Sequence, residues 1–61
     1  MDKLLLTPDE TADVLGIGRS TVYDLMRLRL LPSVKIGRAR RVPADAVRSY
    51  VERLVESGDA W

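Results

Sequence analysis

The fold turns on residues 7–28, TPDETADVLGIGRSTVYDLMRL. In Thr7-Pro8-Asp9-Glu10 a threonine can cap a helix, a proline suits its first turn, and Glu10 completes a capping box three residues on. The acids Asp9 and Glu10 sit where the helix dipole favours negative charge. Thr11, Ala12 and Leu15 then supply a short inward stripe. Leu15-Gly16-Ile17-Gly18 breaks the pattern: Gly16 ends the helix, Ile17 plugs the core, and Gly18 caps a second helix. From Arg19 to about Leu28 the apolar positions Val22, Leu25 and Met26 recur at helical spacing, with Arg29 on the same side near the helix end. The opposite side carries Ser20, Asp24 and Arg27, with Thr21 and Tyr23 on its shoulders.

Beyond this stretch Leu31-Pro32 stops the second helix. The period then changes to two: Val34 and Ile36 alternate with Ser33 and Lys35, Gly37-Arg38-Ala39 turns the chain, and Arg40-Arg41-Val42 brings it back as a short hairpin. After Pro43, Ala46, Val47, Tyr50, Val51 and Leu54 follow a helical period that ends near Ser57-Gly58. Tyr50 falls on the inward stripe, its hydroxyl expected to reach a polar partner. The expected architecture is mainly α with a small β-hairpin, in the order helix, turn, helix, hairpin wing, helix: a winged helix-turn-helix. One domain is expected over residues 1–61, ordered from about 4 to 57.

Composition narrows the chemistry. The chain has neither cysteine nor histidine, which removes the usual zinc ligands, the commonest general base and every Ser-His or Cys-His arrangement. No catalytic residue, metal site or cofactor is therefore expected. At 61 residues without a disulfide, stability must come from packing and should be about 3–5 kcal/mol. The longest apolar runs fall far short of a membrane span and no secretory segment is evident, so a soluble, cytoplasmic protein of a bacterial cell is expected.

Charge is the most directive signal. Residues 19–41 hold seven bases (Arg19, Arg27, Arg29, Lys35, Arg38, Arg40, Arg41) against the single acid Asp24, a net charge of +6. Residues 1–18 carry −3 and residues 42–61 carry −2, so the formal total of +1 conceals the concentration. A small domain polarised in this way suits a polyanion, with the acidic flanks facing away from it. The basic window coincides with the second helix and the hairpin, the two elements by which a winged helix-turn-helix meets double-stranded DNA.

Within it, Arg19, Ser20, Thr21, Tyr23, Asp24 and Arg27 are placed for the major groove or its flanking phosphates. Arg27 can bridge a guanine edge; Asp24 either accepts from a cytosine amine or orients Arg27 or Arg19. Arg19, at the positive end of the helix dipole, suits a phosphate contact. Tyr23 divides between partial core packing and a phosphate contact. Lys35, Arg38, Arg40 and Arg41 make the wing basic, with Arg38 at its tip placed to enter a minor groove. A solubilising edge hairpin is the plain alternative for these four. Leu28 and Leu30 are an apolar surplus, either isolated surface leucines or a patch for a neighbouring copy or partner. Trp61 is a frayed end, a lid on the core or a docking residue for a partner.

Several of these pieces carry a resemblance. Leu5-Leu6-Thr7-Pro8-Asp9-Glu10, Leu15-Gly16-Ile17, Arg19-Ser20-Thr21-Val22-Tyr23, residues 31–38 (Leu-Pro-Ser-Val-Lys-Ile-Gly-Arg) and Arg41-Val42-Pro43 resemble the excisionase-type, MerR-like winged helix-turn-helix family. The resemblance runs from about Leu4 to Leu54. It implies a small DNA-binding and DNA-bending accessory factor of a phage or mobile element, acting with a tyrosine or serine integrase to direct excision. Integrase and neighbouring copies on the DNA are the implied partners, with no small-molecule effector. Three positions depart from the family pattern: Gly18 replaces a common serine cap, Arg29 a glycine at the helix end, and Arg40 an aromatic on the inner side of the wing. The last two put the helix exit and the packing of the wing in question. The competing readings are a small transcriptional regulator or repressor, whose usual dimerisation helix and effector domain would not fit before Trp61, and a protein-interaction adaptor with a basic face.

Overall fold

A computed structural model describes residues 3–58 of the chain. Six elements succeed one another: strand β1 (Leu5–Leu6), helix α1 (Pro8–Leu15), helix α2 (Arg19–Arg27), strands β2 (Val34–Ile36) and β3 (Ala39–Pro43), and helix α3 (Ala44–Ser57). This is a winged helix-turn-helix.

Local chemistry explains where α1 begins. The Thr7 hydroxyl accepts from the Glu10 N–H at 3.0 Å, and the Glu10 carboxylate accepts from the Thr7 N–H at 2.9 Å, closing the capping box. Glu10 also pairs with Lys3, and that ammonium, with the Thr7 N–H, holds the carboxyl down at about 2. One turn on, the fully buried Thr11 donates its hydroxyl to the Thr7 carbonyl at 2.9 Å, so its polar atom enters the core satisfied.

Both helices of the helix-turn-helix end in the same way. In α1, Gly16 takes a left-handed φ of 68°, its N–H donates to the Asp13 carbonyl, and the next N–H, of Ile17, reaches back to Ala12. In α2 the residue in that role is Arg29, at φ 61°: its N–H donates to Met26 and the Leu30 N–H reaches back to Leu25. These are two Schellman closures, one on glycine and one on arginine. The second corrects two expectations. Leu28 caps α2, so the helix stops before Leu31-Pro32 is reached, and Arg29 leaves the apolar side for solvent. The departure at Arg29 has not reshaped the exit, because arginine adopts the backbone that glycine would take, at some steric cost.

The reversal drives Leu31, which no periodicity assigns to the core, into full burial beside Val22 and Val42. Leu6, Ala12, Met26 and Val47 complete the core, with Leu15, Ile17, Leu25 and Tyr50 packed against it. The inward stripe of α3 is narrower than its periodicity implied. Val51 is 41% exposed, and the Tyr50 hydroxyl has no hydrogen-bond partner among the described residues.

The wing is broader than a hairpin. β3 pairs antiparallel with β2 on one side and with β1 on the other, giving the order β1-β3-β2, and the Ala44 N–H donates to the Leu4 carbonyl beside the β1 pairing. Ala39 belongs to β3, opposite Ile36, so the turn is the two residues Gly37 and Arg38. A positive φ at Gly37 alone is the pattern of a type II′ turn, whose twist matches the flanking strands. β1 ties the base of the wing to the start of α1, and so fixes the hairpin relative to the helix-turn-helix. β2 itself is exposed throughout, including Val34 and Ile36. Trp61 lies outside the described residues.

Candidate nucleic-acid interface

Burial of Val22 and Met26 turns α2 so that Arg19, Ser20, Thr21, Tyr23, Asp24 and Arg27 are all exposed. The Gly18 cap offers no side chain to the first-turn N–H groups, which leaves that end of α2 open. Arg19 stands there with its Nε 3.0 Å from Asp9 Oδ1 of α1, and its guanidinium carbon lies 5.8 Å from the centre of the Tyr23 ring. The Tyr23 hydroxyl first, and then the Asp9 carboxylate, raise the Arg19 pKa above its already high ordinary value. Tyr23, 41% exposed, is a platform under Arg19 on the surface.

The Asp9 contact corrects the view that both acidic flanks face away from the basic window: one acid of the first flank lies against the start of α2. Further along that helix, Asp24 holds Arg27, whose Nη2 donates to its Oδ1 at 2.6 Å. Both pairs are exposed, so solvent screens them and they add little to stability. Asp9 of α1 holds the Arg19 guanidinium at the start of α2, and Asp24 holds that of Arg27 near its end.

On the wing, Lys35, Arg38 and Arg40 are exposed, and Arg41 is half-buried with its Nη1 donating to the Arg40 carbonyl at 2.9 Å. The register sets Lys35 directly opposite Arg40 across the β2–β3 ladder. Like charges at facing positions destabilise a hairpin, so this pairing is a poor way to protect an edge and a good way to attract an anion.

The fold also gathers four arginines that are scattered along the sequence. Arg27 from α2, Arg29 from the turn, Arg40 from β3 and Arg53 from α3 line one cleft of about 620 Å³ with Ser33, over a floor that includes Met26 and Leu31. Arg40, at the position where the resemblance places an inward aromatic, is exposed and lines this cation-lined opening. Sequence alone does not single out Arg53, because the acids around it make its segment negative on average. Leu28 and Leu30 are 64% and 49% exposed. Leu30 lines a smaller apolar cleft with Tyr50 and Leu54, of which Leu28 is not part.

Exposed helix face, basic wing and the sheet that joins them define a DNA-binding winged helix-turn-helix. Comparison with known proteins gives the family: a helix-turn-helix domain model matches residues 5–55. An excisionase of Streptomyces ambofaciens is 56% identical over 48 residues, covering 79% of this chain and 77% of that protein. A protein of Saccharopolyspora erythraea named "Probable excisionase" is 41% identical over 59 residues, covering 97% of this chain but only 60% of that protein. No solved structure matches. The chain belongs to the excisionase-type helix-turn-helix DNA-binding family. No helix among the described residues is long and apolar enough to cross a membrane.

Proposed function

We propose that this protein is a non-catalytic excisionase that binds adjacent sites on duplex DNA, bends them, and thereby directs an integrase toward excision of a phage or other mobile element. α2 lies in the major groove and the β2–β3 wing reaches the neighbouring minor groove, with Arg38 at its tip. The observation that carries this reading is the cross-strand Lys35–Arg40 pair, a cost to the hairpin that a polyanion offsets, beside an outward helix face of aimed hydrogen-bonding groups.

Roles divide by chemistry. Asp24 orients Arg27 toward a base edge, Arg19 contacts a phosphate from the open end of α2, and Ser20, Thr21 and Tyr23 hydrogen-bond to the groove or its rim. Lys35, Arg38, Arg40 and Arg41 neutralise backbone charge. Leu28 and Leu30 are the surface for a neighbouring copy or the integrase, and Leu28→Ser with Leu30→Ser should weaken cooperative binding. Head-to-tail assembly on DNA suits this small fold better than a closed dimer.

The test is excision by the integrase of the protein's own element, on a plasmid bearing both attachment sites, with and without the protein, alongside a bend-angle measurement by circular permutation. Stimulated excision with a displaced bend centre is expected. Tight, site-specific binding with no effect on excision would replace this reading with that of a repressor.

A further inference from the structure

Two arginines of the four-arginine cleft, Arg29 and Arg53, have no role in the division just given, and the charge gathered there calls for one. Arg27, Arg29, Arg40 and Arg53 line it, Ser33 adds a hydroxyl, and no carboxylate among the described residues lines it. Of the four, only Arg27 has an acidic partner among the described residues, and that partner, Asp24, stands on the helix face outside the cleft. Arg29 joins the group at the cost of a left-handed backbone that arginine disfavours. Both departures from the resembled pattern that concern side-chain size, Arg29 and Arg40, therefore end in the same opening. Of these four arginines, Arg29, Arg40 and Arg53 have no acidic partner among the described residues, and a guanidinium fork matches phosphate oxygens in shape as well as charge.

Position selects the anion. Arg27 belongs to the helix that enters the major groove and Arg40 to the wing that reaches the next minor groove, so the cleft opens between the two contact elements. A single sugar-phosphate strand runs between those grooves in a duplex. We infer that the cleft seats a backbone phosphate of that strand, which makes Arg53 of α3 and Arg29 of the turn DNA contacts although both lie outside recognition helix and wing. This rests on the DNA-binding reading above.

The experiment titrates a fluorescent duplex of random sequence against the full chain across salt concentrations, comparing the parent with Arg53→Ala, Arg29→Gly and Arg48→Ala. Arg48 is an exposed cation of α3 that does not line the cleft. Thermal melts establish that each variant is folded; alanine suits the middle of α3, and glycine suits the backbone at 29. Arg53→Ala and Arg29→Gly should each flatten the slope of log K against log[salt] by about 0.9 and weaken binding roughly 10-fold near 0.1 M salt, while Arg48→Ala keeps the parent slope. Parent-like slopes for both cleft variants would overturn the inference and leave the DNA-binding reading standing. A loss with Arg48→Ala equal to that with Arg53→Ala would overturn it too, reducing the effect to bulk charge. Cleft variants that bind DNA like the parent but no longer bind the integrase would reassign the cleft to an acidic protein segment. A parent chain that binds no duplex at low salt would overturn both readings.

Discussion

Replacing Arg29 with glycine should stabilise this protein, and the structure lets the size of the gain be worked out. Arg29 and Gly16 hold equivalent places in two Schellman closures, at φ 61° and 68°. A Cβ in that region costs about 1–2 kcal/mol. Glycine brings back about 0.5–1 kcal/mol through the extra freedom of its unfolded chain. The net gain is roughly 0.5–1 kcal/mol, a large fraction of a total near 3–5 kcal/mol. Removing a cation from beside Arg27, Arg40 and Arg53 acts in the same direction, so Arg29→Ala is the control: it deletes the charge and keeps the Cβ. Thermal and urea unfolding monitored by circular dichroism should place the glycine variant above the alanine variant by roughly 0.5–1 kcal/mol, about 2–8 °C in Tm. A glycine variant no more stable than the alanine variant would refute the claim that backbone strain is stored at this turn. If Arg29 also holds a phosphate, the glycine variant is more stable and binds DNA less well. That opposition marks a residue kept for function.

The same geometry sets three further outcomes. Gly16→Ala should destabilise by about 1 kcal/mol through backbone strain alone, since nothing lies within 4 Å of the added Cβ; chemical denaturation measures it. Glu10, held at about 2 in the folded chain against an ordinary 4.5, is depressed on folding, so its stabilising contribution is complete above pH 4.5 and is lost as pH falls toward 2. The stability difference between the parent and Glu10→Gln should accordingly shrink over that interval in acid titrations of the melting temperature. Asp24→Ala should raise affinity for random duplex, because an anion is lost from the contact face, and lower discrimination for the cognate site, because Arg27 loses its 2.6 Å orienting partner; paired binding titrations read the ratio.

How far the fold is legible in the sequence depends on the range of the interactions. The capping box at Thr7–Glu10 and the glycine closure at Gly16 are settled within five residues, so sequence alone places them. The hairpin is legible from its change of period, but β1 is not: two leucines carry no periodicity, and they are a strand only because β3 lies beside them. The exit from α2 misleads for the opposite reason. Arginine carries no signal for a left-handed residue, so the turn at Arg29 and the burial of Leu31 that it causes stay hidden. The polar face of α2 and the basic wing are visible because each lies within one element. The cleft is not, since Arg27, Arg29, Arg40 and Arg53 come from four segments and charge averaged along the chain assigns Arg53 to an acidic flank.

A division of labour puts sequence preference in α2 and makes the wing, with Lys35, Arg38, Arg40 and Arg41, the largest single source of salt dependence. It is tested most directly by measuring specific and random duplex binding across salt for the parent, for Lys35→Ala with Arg38→Ala, and for Ser20→Ala with Thr21→Ala. The wing variant should flatten the salt slope by about 1.8 and keep the ratio of specific to random affinity, while the helix variant should keep the slope and lose the ratio. A wing variant that loses the ratio with its slope intact, or a parent whose binding does not respond to salt, would contradict it.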